Sequence, residues 1–450
     1  MTKKQRRILF VWALVFFVLL STGVLSFAFG FRYDFANGRL VKTGSIVLKP
    51  NTEAQIFIDG KLEGRTSFLK GTFSKKRLLP GTYSVKIQKE QFAPWEKEVE
   101  VKEGLVSDLS RIVLFSSSQL EKEIISRPNP LSLHRELEEV VYWEKNTLAF
   151  YDLNGHLIYR SKAIPLDASQ TKIIWGRNGK EALAYDQSKV IYFDLAKNSF
   201  RELSPIKPHF LETAVLKDGQ LYFLSMSSKQ SNSKDLAVFS VREFKNKLIS
   251  KNVTSFFINK DDHILAMSGI PQRLLKIGLN GENEEILGNF ETGGVIRDAL
   301  RHNNSDFILI GTDLYSFLSD RENKLVLVVK GVKNFSVSPD NFMLGWHTGR
   351  EFWIEWLKDT ESQPLKKAGE RELVLKTAEN IRGFGWYRNS NYSFLELSSG
   401  LVAVEVDSRG VPNQYNLLSL SGQEQAWYDL SQNKIFKLSN LEGLATVDMP

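Results

Sequence analysis

Residues 335–346 read FSVSPDNFMLGW. Phe335 to Ser338 alternates apolar and small polar side chains. Pro339-Asp340-Asn341 then stops the run, because proline offers no N–H to a strand partner and Asp and Asn fold back on their own backbone. Met343-Leu344-Gly345-Trp346 is apolar throughout. The stretch predicts an aromatic strand, a tight turn and a second strand covered on both faces. Trp353 and Trp356 in FWIEW (352–356) lie on opposite faces of a further strand, which leaves at least one of them exposed or at an interface.

The same unit recurs in both directions. Ile173-Ile174-Trp175 precedes Asn178-Gly179 and Ala182-Leu183-Ala184-Tyr185. Ser255-Phe256-Phe257-Ile258 precedes Lys260-Asp261-Asp262 and Ile264-Leu265-Ala266. Gly383-Phe384-Gly385-Trp386 precedes Arg388-Asn389-Ser390-Asn391 and Phe394-Leu395. Weaker copies sit at Leu221-Tyr222-Phe223 and Phe307-Ile308-Leu309, and Glu139-Val140-Val141-Tyr142-Trp143 opens the series. No amphipathic stretch of helical length interrupts residues 138–450. Such a run of short strands needs its edges covered, and radial repetition does this. At about 45 residues per repeat the region predicts a β-propeller of about seven blades. Ala426-Trp427-Tyr428 and Ile435-Phe436-Lys437 are expected to pair with the first blade and close the ring. A pair of β-sandwiches or a β-helix are the rival folds, the latter needing shorter and more regular repeats. The Phe-Ser-Val-Ser-Pro-Asp stretch resembles the repeats of TolB-like and WD40-like propellers.

Residues 116–137 form a polar break around Arg127-Pro128-Asn129-Pro130 and read as a linker. Before it, residues 44–115 carry another strand pattern. Ser45-Ile46-Val47-Leu48 leads to Pro50-Asn51. Ala54 to Ile58 alternates into Asp59-Gly60, a hairpin turn. Pro80-Gly81 opens a strand with Tyr83, Val85 and Ile87 on one face and Ser84, Lys86 and Gln88 on the other. Val99 and Val101 repeat this against Glu98, Glu100 and Lys102, and Leu109 to Phe115 closes the unit. One face is buried and one is wet. Tyr83 and Trp95 are read as core.

In order, Asn51-Thr52-Glu53-Ala54, Ile56-Phe57-Ile58-Asp59-Gly60, Gly64-Arg65-Thr66, Leu79-Pro80-Gly81-Thr82-Tyr83 and Phe92-x-x-Trp95 resemble the PEGA domain family. Ser67 stands where that family has proline, and Gln91-Phe92 where it has a glycine-aromatic pair. The Pro-Glu-Gly-Ala tetrapeptide itself is missing. The resemblance implies a small β-sandwich on an exported or membrane-anchored protein of prokaryotic origin, acting as a spacer or adhesion module without catalysis.

Ile8 to Phe31 contains no charge, long enough for a hydrocarbon core of roughly 30 Å. MTKKQRR before it predicts a cytoplasmic N-terminus (1–7), a transmembrane helix (8–31) and an extracytoplasmic remainder. Cleavage after a signal segment at Ser26-Phe27-Ala28, or a buried helix, are the alternatives.

Across 450 residues, 42% are hydrophobic, 25% charged and 12% aromatic, which suits a globular, strand-rich chain. The net charge is +7, of which Lys3, Lys4, Arg6 and Arg7 supply four, so no basic stripe for nucleic acid remains. There is no cysteine, hence no disulfide or thiolate chemistry.

His134, His156, His209, His263, His302 and His347 show no metal-ligand spacing. No nucleophile elbow, P-loop or dinucleotide fingerprint is present. Asp261-Asp262 and Asp152-x-Asn154-Gly155 resemble calcium loops but read as turns. No cofactor, metal or catalytic residue is assigned. Trp143, Trp175, Trp346, Trp386 and Trp427 recur near corresponding strand ends. They either pack between blades or line one face, where they would stack on sugars or anchor a peptide. The expectation is therefore a membrane-anchored extracytoplasmic scaffold binding an envelope protein or glycan. A propeller-type polysaccharide hydrolase and an envelope assembly subunit are the alternatives.

Overall fold

The computed structural model describes residues 3–35, 38–66, 71–127, 129–226, 234–290, 294–302, 305–318, 325–361 and 363–450. Ser67, Pro128 and the first two residues of the basic tail lie outside them.

The apolar segment forms α1 (Lys3–Ala28), long and apolar enough to cross a membrane. It takes in most of the basic tail and stops earlier than the apolar run. Gly30 adopts φ +88°, which an α-helix cannot accommodate, and Phe31 already belongs to a strand. Strands β1 (Phe31–Asp34) and β2 (Arg39–Lys42) form an antiparallel ribbon.

A two-sheet sandwich follows. Its strands are β3 (Gly44–Pro50), β4 (Gln55–Ile58), β5 (Lys61–Arg65), β6 (Phe73–Leu78), β7 (Gly81–Gln88), β8 (Trp95–Val101) and β9 (Val106–Ile112). One sheet has the order β6-β3-β9 and the other β5-β4-β7-β8. The alternation read from the sequence places Ile46, Leu48, Ile56, Val85, Ile87, Trp95, Val99 and Leu109 between them. Asp59 and Gly60 both take positive φ in the β4–β5 hairpin, the turn that matches strand twist. The first and last strands, β3 and β9, run parallel. The chain therefore enters the sandwich at one end and leaves at the other, about 20 Å away at ~3.3 Å per residue.

Among the described residues, the rest of the chain forms a ring of eight four-stranded antiparallel sheets. Seven are continuous, at 130–160, 172–202, 215–250, 253–290, 296–329, 334–376 and 381–419, and we number these blades 1–7. Blade 8 combines 425–448 with a strand from far upstream, β10 (Lys122–Ile125), which pairs with Gly443–Asp448 on the blade's outer edge. The length argument predicts about seven blades. The turns are tighter than it assumes, and each blade takes about 40 residues. The stretch 116–137 is not only a connection: it carries β10 and the first strand of blade 1, Pro130–His134. Pro130 is tolerated because it opens that strand, which sits at a sheet edge. Closure uses β10 in place of the expected pairing of the last group with blade 1.

Why the ring holds is visible in its cores. Each pair of neighbouring blades encloses one apolar cluster, with Phe150 and Phe193 between blades 1 and 2, Leu265 and Ile308 between 4 and 5, and Phe352 and Leu395 between 6 and 7. Tyr142 and Ala149 of blade 1 pack with Trp427 and Phe436 of blade 8 and complete the circle. First strands of neighbouring blades approach one another and so line the axis. Among the described residues, in seven blades the turn between first and second strands is left-handed at one or two positions: Glu138, Gly179, Asp218 with Gly219, Asp262, Asn341, Ser390 or Asn433. These are the turn signals of the repeat. In the motif around Asp340, the Ser338 hydroxyl donates to the Asp340 carboxylate at 2.7 Å and accepts from the Met343 N–H at 3.0 Å.

Candidate binding face

The five tryptophans do not form a shared platform. Trp143 and Trp175 are half-buried between blades 1 and 2, where Trp175 meets Phe150 edge-on and its Nε1 donates to the Ser132 hydroxyl at 3.0 Å. Trp346 is 2% exposed and stacks on Trp353 at 6.5 Å between blades 5 and 6. Trp386 is buried between blades 6 and 7, above Gly345, where a Cβ would fall 2.7 Å from the indole. Trp427 is buried between blades 8 and 1 and stacks on Phe436. Sheets pack about 10 Å apart, and an indole fills that gap. Recurrence at strand ends thus reflects repeated packing, and Trp346, Trp386 and Trp427 have no free face. Of the FWIEW pair, Trp356 is buried and Trp353 half-buried.

What the fold does bring together lies on the face carrying the turns between first and second strands and between third and fourth strands. The sandwich docks there over blades 6 and 7. Lys97 occupies the inward register of β8 between Trp95 and Val99, and its ammonium reaches Glu405 at 3.1 Å and the Asp407 carbonyl at 2.9 Å. Trp95 Nε1 donates to the same Glu405 at 3.3 Å, and the Asn413 amide donates to it at 2.8 Å. Burial pushes the Asp407 carboxyl up, but Arg409 and Lys97 outweigh it and hold the group below its ordinary range. Phe115 enters an aromatic box of Tyr387, Tyr392, Phe394 and Tyr415, and the Tyr392 hydroxyl accepts the Val113 N–H at 3.2 Å. Burial raises the Tyr392 hydroxyl pKa far above its usual value. A cavity of about 400 Å³ remains at this junction, lined by Arg111, Asp340, Trp356, Gln363 and Arg409. Lys97 was legible as a charge in an apolar register, but nothing local named its partner.

The other side of the same face is open. Over blades 2 and 3, opposite the sandwich, a groove of about 800 Å³ is lined by Lys180, Asp194, Arg201, Asp218 and Arg242. Part of its acidic complement is already engaged. Glu181 accepts from Tyr192 and from the Gly219 N–H, and Asp194 pairs with Lys197 at 2.7 Å. Burial raises the Glu181 carboxyl pKa despite those bonds. Towards the axis, Arg177 of blade 2 reaches past blade 3, donating to the Asn259 carbonyl at 3.3 Å and lying 5.2 Å over the Phe257 ring. Burial lowers its pKa, with Glu136, Asp262 and Asp298 opposing. Burial likewise raises Asp298 and lowers His134. Among the described residues no three His, Asp or Glu side chains are arranged to hold a metal ion.

Residues 47–111 match the PEGA domain family. None of the curated proteins compared with the chain matches it. Among solved structures the chain is similar to BamB from Moraxella catarrhalis, at 12% identity over 73% of this chain and 98% of that one, TM-score 0.43. It is similar to an oligogalacturonate lyase from Vibrio parahaemolyticus, at 9% identity over 72% and 99%, TM-score 0.37. It is also similar to the Swd1 β-propeller domain of Myceliophteria thermophila, at 10% over 74% and 98%, TM-score 0.36.

Proposed function

We propose that this chain is a membrane-anchored, non-catalytic scaffold that holds a propeller outside the cytoplasm and binds a protein of the cell envelope. The observation that carries the reading is the parallel pairing of β3 and β9. It sets the anchor helix and the propeller at opposite ends of the sandwich, and the buried Lys97–Glu405 contact fixes the far end. A sandwich joined in this way is a stiff spacer, which a flexible linker is not. Three of the five tryptophans are buried between blades, which weighs against their serving as a stacking surface for sugars or as an anchor for a peptide. The groove over blades 2 and 3, with Lys180, Arg201 and Arg242 on its walls, suits an acidic polypeptide segment.

Photo-crosslinking in intact cells tests this. A photoreactive residue at 201 or 242 of the full-length protein should give a discrete protein adduct, and one at 162 or 251, on the opposite face, should not. Adducts with glycan alone, or release of soluble sugar from envelope glycan by the purified protein, would overturn the reading.

A further inference from the structure

We infer that the β1–β2 ribbon is a membrane-interface element that seats the sandwich on lipid headgroups. This rests on the anchor reading above. An isolated two-stranded ribbon is marginal in water and needs a surface to lie on. This ribbon has two unlike faces. Val41 and Asp34 are buried, at 1% and 7% exposure, so one face is already covered. The other carries Tyr33 opposite Leu40, with Phe35 in edge contact with Tyr33 at 5.1 Å. These three are 50%, 57% and 89% exposed. The apolar face is thus turned outward, the reverse of what water favours.

Its position supplies the occupant. The ribbon starts three residues after the last residue of α1, within the headgroup layer that flanks a hydrocarbon core of roughly 30 Å. It is tied on both sides. The Thr43 N–H and hydroxyl donate to the Gly30 carbonyl at 2.9 and 2.7 Å, and the Lys42 N–H donates to Glu103 of the sandwich at 2.8 Å. Phe27 near the helix end lies under the Arg32 guanidinium at 3.4 Å, with Arg77 of β6 at 5.4 Å. Aromatic rings with arginines beside them are the side chains that settle at a bilayer interface, rings among the upper acyl chains and guanidinium groups on lipid phosphate. The ribbon, with α1, would fix the tilt of the whole extracytoplasmic body.

The absence of cysteine makes the test direct. Single variants Leu40→Cys, Phe35→Cys, Leu19→Cys and Lys162→Cys of the full-length chain are nitroxide-labelled in phosphatidylethanolamine–phosphatidylglycerol vesicles. Collision with dissolved oxygen is compared with collision with a water-soluble nickel chelate. Labels at 40 and 35 should favour oxygen several-fold more than the label at 162, and less than the label at 19. Aqueous behaviour at both 40 and 35 with a lipid-buried label at 19 would overturn the ribbon proposal and leave the anchor standing. Aqueous behaviour at 19 as well would overturn both.

Discussion

The Lys97 ammonium and the Glu405 carboxylate meet at 3.1 Å with side chains 0% and 1% exposed, one from the sandwich and one from blade 7. Glu405 ends the third strand of its blade, where Asp152 and Asp194 end theirs in blades 1 and 2. In blades 1 and 2 that position faces solvent in part, and in blade 7 the sandwich covers it. Removing one partner of such a pair strands a buried charge and costs about 3–5 kcal/mol. Lys97→Met should therefore destabilise the protein by that order in urea unfolding. Lys97→Met with Glu405→Gln should recover much of the loss, because the unpaired charge is gone. A double variant as unstable as the single would contradict this account.

Phe115→Ala removes the ring at the centre of the four-aromatic box. A Phe→Ala change in a core costs about 3–5 kcal/mol. Because the box joins sandwich and propeller, calorimetry should show one transition in the parent and two in the variant.

Gly443 sits at φ +96°, and a Cβ there would lie 2.0 Å from the Ile125 carbonyl oxygen, on the pairing that closes the ring. Gly443→Ala combines that clash with a left-handed conformation costing about 1–2 kcal/mol by itself. We expect faster hydrogen exchange along Lys122–Ile125 and Gly443–Asp448 than elsewhere in the ring. Uniform exchange would place the closure elsewhere.

Two buried groups give opposing pH dependences. Burial, then Lys333, holds the His347 imidazole down at about 4. The unfolded chain near 6.5 binds more protons, so this contribution is complete above pH 6.5 and is lost as pH falls towards 4. Burial, then Asp152, raises Glu139 to about 7. Here the fold binds more protons, so stability is lost as pH rises from the unfolded value towards 7. Each slope is at most ~1.4 kcal/mol per pH unit. Urea unfolding should show Glu139→Gln losing stability steadily on acidification below pH 6.5, and His347→Phe gaining it between pH 7 and 5. Identical profiles for the two variants would contradict these assignments.

Trp346→Ala should lower stability by about 3–5 kcal/mol, as a core truncation does, and leave crosslinking from position 201 unchanged once the protein is folded. Loss of the adduct at full stability would return Trp346 to the binding surface.

Local pattern alone was enough to read strands, turns and the two-part organisation. Alternation in 81–101 sorts side chains to two faces whatever lies beyond, and Asp340-Asn341 or Asn178-Gly179 turn the chain by their own backbone preferences. The apolar run from Ile8 likewise needs no partner to be recognised. The tertiary structure decided everything that depends on distant neighbours. That Trp346, Trp386 and Trp427 pack between blades follows from which sheet lies beside each one. That 116–137 closes the ring follows from an edge strand some 320 residues later, a pairing carried by backbone groups with no sequence signature. That Lys97 meets Glu405 follows from a docking between domains, and complementary charges far apart in sequence mark neither each other nor the surface they will share.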